Sequence, residues 1–242
     1  MAHHFHHYTH LSSTNAEAGR LVKEGLVKKN GFVISDYQTD GKGRTGNTWD
    51  SEAGKNLLMS WITFPAFLSA SHQFQLSKAV SLALIDLLKN YKLDAEIKWP
   101  NDIICKGRKI AGILIENSIR GTQLQHSIVG IGMNVNQKHF PGYDYQADSL
   151  ANLLGTELDL NSLYLDTADH LERRYQQISE DESAPDAMYL QYLYRFRTEA
   201  KFRLKEKEIS GSIQGVNELG ELLVETQGNI QSYGFHELRM IY

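Results

Sequence analysis

One loop constrains this chain more than any other stretch. Residues Ser35 to Trp49 carry glycines at 41, 43 and 46, with Lys42 and Arg44 between them. The apolar run Phe32, Val33, Ile34 leads in, and Asn56 to Phe64 follows as a second apolar stretch. Glycine permits backbone conformations and close approaches that a Cβ resists. Successive N–H groups in such a loop can form a concave anion site. Arg44 adds a bidentate fork for phosphate or carboxylate. Positions 41–48 nearly spell the phosphate-loop pattern G-x-x-x-x-G-K-[ST], but Asn47 stands where its lysine belongs. That pattern should also open a helix, whereas the segment after the loop reads as a strand. The loop is not a P-loop.

The rest of the chain sets limits around this loop. Its 242 residues make one large domain, or a domain plus a small one. A formal net charge of −4 gives no general attraction for polyanions, so nucleic acid is not an expected partner. The single cysteine, Cys105, excludes an internal disulfide framework and a cysteine-based zinc site, and suits a reducing cytoplasm. No apolar run approaches ~18 residues and no signal-peptide pattern opens the chain. The expectation is a soluble, cytoplasmic protein with no membrane partner.

Five of the ten histidines fall within residues 1–10. Such a tract can bind metal, but these lack the spacing of a catalytic metal helix. A first strand carrying polar histidines, or a tag-like start, fits better. Thr14 with Glu17 makes a capping box, and Ala18, Leu21, Val22 and Leu26 mark a helical face ending near Asn30-Gly31. Phe74 to Tyr91 reads as a strong helix. In Lys98-Trp99-Pro100-Asn101-Asp102, the proline puts Asn101 and Asp102 at a strand end or bend. Lys106-Gly107 marks a hairpin turn into the strand Lys109 to Glu116, and His126 to Asn136 is a further strand. Residues 163–178 and 188–202 carry helical periodicity. From about residue 206, short strands separated by turns suggest a small β-module. The fold expected is α+β: a mixed, mainly antiparallel sheet flanked by helices. Residues 1–200 would form the main domain and 201–242 the β-module.

Four pieces stand in a telling order: Ser13-Thr14-Asn15; Gln38 with Gly41-Lys42-Gly43-Arg44 and Trp49; Lys98 to Asp102; and Lys109 to Gly112 with Gly130 to Asn134. Together they closely resemble the biotin protein ligases, the biotin–[acetyl-CoA carboxylase] ligases, over most of residues 8–140. The C-terminal module likewise resembles that family's SH3-like β-barrel. The resemblance implies the biotin/lipoate ligase fold, akin to class II aminoacyl-tRNA synthetases, and a two-step reaction. Biotin and Mg-ATP would give biotinyl-5′-AMP, and a lysine of a biotin carboxyl carrier protein would then take the biotinyl group. Biotin is a substrate, Mg²⁺ accompanies ATP, and no protein metal site is implied.

By this resemblance Lys109, Arg44 and Asp102 are the catalytic residues. Ser13, Thr14, Asn15, Gln38, Gly41, Lys42, Gly43, Arg44, Lys109 and Gly112 hold biotin. Lys42, Arg44, Trp49, Asn101, Lys109 and Asn134 hold ATP and the adenylate. The family loop often reads G-R-G-R-x-G-R-x-W; Lys42 and Asn47 here replace two of its arginines, and lysine keeps the charge without the planar fork. The alternatives are a lipoate or octanoate ligase or transferase of the same fold, and a non-enzymatic biotin- or nucleotide-binding regulator. Retention of Lys109 and Arg44 argues against the regulator. Family members that repress transcription carry an extra N-terminal helix-turn-helix, for which the stretch before Ser13 leaves no room. No DNA binding is expected, and the assembly expected is a monomer or weak homodimer.

Overall fold

A computed structural model of the chain describes residues 3–140 and 146–241. Met1 and Ala2 of the histidine tract lie outside the described residues. The remainder of the tract forms β1 (Phe5–Leu11), followed by α1 (Thr14–Lys23), β2 (Gly31–Gln38) and β3 (Leu57–Thr63). Next come α2 (Phe74–Asn90), β4 (Ala95–Lys98), β5 (Asp102–Cys105), β6 (Arg108–Arg120) and β7 (Gln123–Met133). The helices α3 (Leu150–Leu154), α4 (Leu160–Glu180) and α5 (Asp186–Gln191) precede β8 (Glu199–Leu204), β9 (Lys207–Val216), β10 (Leu222–Thr226), β11 (Asn229–Tyr233) and β12 (Leu238–Met240).

The first seven strands form one sheet in the order β1-β2-β3-β7-β6-β5-β4. Only β1 and β2 run parallel; the other neighbours are antiparallel. Side-chain alternation along β2 explains why its apolar run is continuous. Phe32 and Ile34 enter the main core, while Val33 packs beneath α1 with Ala18, Leu21, Ile62 and Ile128. Both faces of the central strands are therefore covered, by α1 on one side and by α2 with α4 on the other. Helix α2 lies between sheet and α4, which is why Leu82, Ala83, Leu84 and Ile85 are all buried around its circumference.

The remaining strands form a second, antiparallel sheet in the order β11-β10-β9-β8-β12. Among the described residues β11 and β12 are its edge strands, and it is the C-terminal β-module that the sequence led us to expect. This sheet begins with Glu199, inside the stretch expected to be helical. Residues 188–202 are instead the end of α5, a run of turns and β8. Tertiary hydrogen bonds outweigh helical propensity here. Ile97 N–H donates to Tyr192 O at 2.8 Å and Tyr194 N–H to Ile97 O at 2.9 Å, so the segment adds to the open edge of β4. Helix α1 also stops earlier than expected, because Gly25 turns the chain at a φ of 71°. Its cap is Ser13, not Thr14, and Glu17 bonds Tyr8 and Arg20 instead of closing a capping box.

The two sheets meet at Trp99. Its indole N–H donates to Gly220 O at 2.8 Å, and its ring stacks on Phe235 at 5.5 Å. Gly220 sits at a φ of 87°, and a Cβ there would come 2.5 Å from Phe74 Cδ2. Gly220→Ala combines a left-handed strain with overpacking, so it should destabilise the fold by about 2–4 kcal/mol in urea unfolding. A loss below about 0.5 kcal/mol would show that this junction tolerates a side chain.

Candidate active site

A cavity of about 800 Å³ opens between the two sheets. One end is a polar floor built around Ser13, Thr14 and Asn15, all buried at the start of α1. Thr14 N–H and Oγ1 both donate to Gln38 Oε1, at 2.7 and 3.0 Å. A backbone N–H can only donate, so the amide of Gln38 must present its oxygen here and keeps its NH₂ as a donor. Ser60 Oγ lies 2.7 Å from Thr14 Oγ1 and 2.6 Å from Asn15 Oδ1, and Asn15 Nδ2 donates to Glu116 Oε2 at 2.7 Å. The network presents fixed donors and acceptors rather than mobile hydroxyls.

The sheet beneath is pared down to glycine. Gly112 and Gly132 face each other across β6 and β7. A Cβ on Gly132 would overlap the Trp49 indole, and one on Gly112 would reach it at 3.0 Å. On β7, a Cβ on Gly130 would overlap Asn15 Oδ1. Trp49 thus lies down on the sheet at the cavity wall, with its Nε1 buried and unpartnered. The glycine loop that carries it is a small hairpin. Gly43 N–H donates to Asn47 O and Trp49 N–H to Gly41 O, each at 2.8 Å, and Asn47 N–H donates to Arg44 O at 3.1 Å. Those three N–H groups serve the loop itself. Beside them, the side chains of Lys42 and Arg44 line the cavity. Gly41 is not in the cavity wall; its role is space, since a Cβ would strike Trp49 O and come 3.1 Å from Gln38 Nε2.

At the other end, cations crowd one carboxylate. Asp102 pairs in register with Lys98 on β4 and Gly112 on β6, and its Oδ1 lies 2.7 Å from Lys109 Nζ. Lys109 Nζ also stands 5.5 Å from the Trp49 ring. Burial pulls the Lys98 ammonium down to about 8; Lys109 and Arg239 push the same way, and Asp102 opposes them. Burial likewise lowers Arg44, against the pull of Asp102. The Arg44 guanidinium lies 4.7 Å over the Phe235 ring. Asn101 lines the cavity, but its Nδ2 is tied to Ile113 O at 2.9 Å. Asn134, expected beside phosphate, is buried and does not line this cavity. It donates to Asp148 O at 3.1 Å and faces a separate recess shared with Trp49 and Lys109.

Residues 9–134 match the family model described as the biotin/lipoate A/B protein ligase family. The chain belongs to that family. Relatives include the bifunctional ligase/repressor BirA of Bacillus subtilis, 29% identical over 236 residues, covering 96% of this chain and 72% of that protein. The biotin–[acetyl-CoA-carboxylase] ligase of Paracoccus denitrificans is 40% identical over 128 residues, 51% of each chain. Among solved structures, the biotin protein ligase from Aquifex aeolicus superposes with a TM-score of 0.82 at 26% identity, covering 98% of both chains.

Several residues of the site and its support escaped the sequence reading. Ser60 and Glu116 complete the polar floor; the signal for Ser60 was a polar residue within a wholly buried strand, which must find partners. Lys98 stood in a quoted motif without a role. Arg203, Lys205, Phe235 and Arg239 come from the C-terminal sheet, and nothing local in the sequence ties them to the loop.

The depressed Lys98 gives a pH test. Between about 8 and the ordinary lysine range, the unfolded chain holds this proton and the native state does not, so stability rises with pH through that window. The difference in unfolding free energy, Lys98→Met minus wild type, should therefore fall by on the order of 2 kcal/mol from about pH 7 to about pH 10. Urea titrations at several pH values measure it; a flat difference would mean an ordinary lysine.

Proposed function

We infer that this chain is an ATP-dependent biotin–protein ligase: it activates biotin as biotinyl-5′-AMP and transfers the biotinyl group to a lysine of a biotin carboxyl carrier protein. The observation that carries this is one cavity with a fixed polar floor at one end and a cation cluster at the other, in a member of this ligase family. The Aquifex relative is described as a complex with biotin and ATP.

The chemistry needs both ends. Ureido rings carry donors and acceptors together, which suits Ser13, Thr14, Asn15 and Gln38. A carboxylate attacking an α-phosphate brings like charges together. Lys109, Arg44 and Lys42 lower that repulsion and stabilise the charge that builds on phosphorus-bound oxygen, while pyrophosphate leaves. In the second step the carrier's amine attacks the acyl carbon, the bond to AMP breaks, and the amine proton must depart. Asp102, at the cavity and paired to Lys109, is the group we assign to receive or relay it. Trp49 closes one wall, and Asn101 braces the turn that carries Asp102. Among the described residues no cluster of three or more histidine, cysteine or acidic side chains could hold a metal. Magnesium would enter with the nucleotide, where it would shield the phosphate charge.

The finer assignments are proposals of the same reading. The acceptor is the carrier domain of a biotin-dependent carboxylase, and the protein works in the cytoplasm as a monomer or weak homodimer without nucleic acid. No described helix is long and apolar enough to cross a membrane. Residues 1–200 would supply the chemistry and 201–242 a wall of the chamber.

Pyrophosphate release with biotin, lipoate or octanoate in parallel tests the assignment. Biotin alone should support it; release with lipoate and not biotin would overturn the reading in favour of the sister activity. Lys109→Ala should slow adenylation by about 100-fold, or roughly 2.7 kcal/mol in barrier, while its melting temperature stays close to wild type. A near-normal rate would reduce Lys109 to a partner of Asp102.

A further inference from the structure

The contact between Arg44 and Phe235 has a use that packing does not explain. Phe235 sits in the turn between β11 and β12, with Trp99 stacked at 5.5 Å and Phe74 at 6.0 Å. It remains 36% exposed, and the Arg44 guanidinium lies over its ring at 4.7 Å. Among the described residues no hydrogen bond or ion pair takes up that guanidinium, although Asp102 lies near enough to favour its charge. The hairpin bonds of the loop fix its backbone at Gly41, Gly43 and Asn47 but leave the Arg44 side chain, with its several rotatable bonds, otherwise unanchored.

We propose that Phe235 is a positioning residue for Arg44, so that the C-terminal sheet latches the glycine loop over the reaction chamber. A guanidinium held over a ring is attracted by its π face, and its N–H donors stay available to an anion. An arginine seated this way can receive an anion without giving up its seat. The ring is held in turn by Trp99, whose indole N–H is fixed on Gly220 O at 2.8 Å. A chain of contacts therefore runs from the second sheet through Phe235 to the loop. This proposal rests on the ligase reading: what the latch retains is the reactive biotinyl-AMP, shielded from water and stray amines.

The test compares full-length Phe235→Leu and Phe235→Tyr with wild type, and repeats both in an Arg44→Gly background. Each protein is loaded with biotin and Mg-ATP, stripped of free ligand, and followed for release of biotinyl-AMP. Leucine keeps an apolar plug against Trp99 but offers no π face; tyrosine keeps the ring. Phe235→Leu should speed release roughly three- to tenfold, and Phe235→Tyr should restore retention. With Arg44→Gly already present, Phe235→Leu should add less than about twofold, because the two act through one contact. Equal retention by Phe235→Leu and wild type, leakage by both Phe235 variants alike, or full additivity with Arg44→Gly would each overturn the latch. If Phe235→Leu fails to fold, Arg44→Lys probes the same contact from the loop side. It keeps the charge without the planar face and should leak to a similar degree, and wild-type retention by it overturns the proposal. Wild-type protein that forms no adenylate from biotin would instead sink the ligase reading, and the latch with it.

Discussion

The meeting of Asp102 with the cations around it is the constraint on which the rest of this structure depends. Asp102 bonds Lys109 at 2.7 Å and faces Lys98 across the β4–β5 ladder, with Arg44 and Arg239 also bearing on the cluster. These charges meet in a partly desolvated cleft, where Coulomb interactions are several-fold stronger than in water. Burial draws the Lys98 ammonium down to about 8, with Lys109 and Arg239 adding to the fall and Asp102 opposing it. An anionic ligand brought among Lys109, Arg44 and Lys98 would gain from the same weak screening, which suits the cleft to carboxylate and phosphate.

That cluster is positioned by strand register and by what the strands omit. Asp102 stands opposite Gly112, and Gly112 stands opposite Gly132, so a row of two glycines runs beside the carboxylate. Any side chain there would displace Trp49, which in turn sits close to Lys109. The loop hairpin then brings Arg44 to the same cavity. Sheet register thus converts a local pattern of glycines into the shape of the chamber.

Much of this was legible in the sequence because it is local. The β-branched runs announced β2, β3, β6 and β7, and Lys106-Gly107 announced the β5–β6 turn, where both residues take positive φ values of 51° and 74°. The ordered motifs placed Lys109, Arg44, Asp102 and the Ser13–Asn15 triplet in one cavity. What failed did so through long-range competition. Residues 188–202 have helical spacing, yet Tyr192 and Tyr194 bond the free edge of β4, a partner that exists only once the sheet has formed. The contribution of the C-terminal sheet was missed for the same reason. Arg203, Phe235 and Arg239 share no motif with the loop and meet it only across the cavity.

The two steps of the reaction ask different things of the fold. Forming a mixed anhydride needs cations fixed near one point, and β4, β5 and β6 deliver these from neighbouring strands. Keeping the anhydride needs a cover, and a cover cannot come from the sheet that forms the floor. In the latch we propose, that cover comes from two distant parts of the chain: the loop after β2 and the turn before β12 meet where Arg44 lies on Phe235. The same ring presses on Trp99, one residue beyond Lys98 at the end of β4. Docking of the second sheet and closure of the chamber therefore share one aromatic seam. A change that loosens the seam should affect stability and retention together, whereas a change confined to the Asp102 cluster acts on the chemistry and leaves the cover in place.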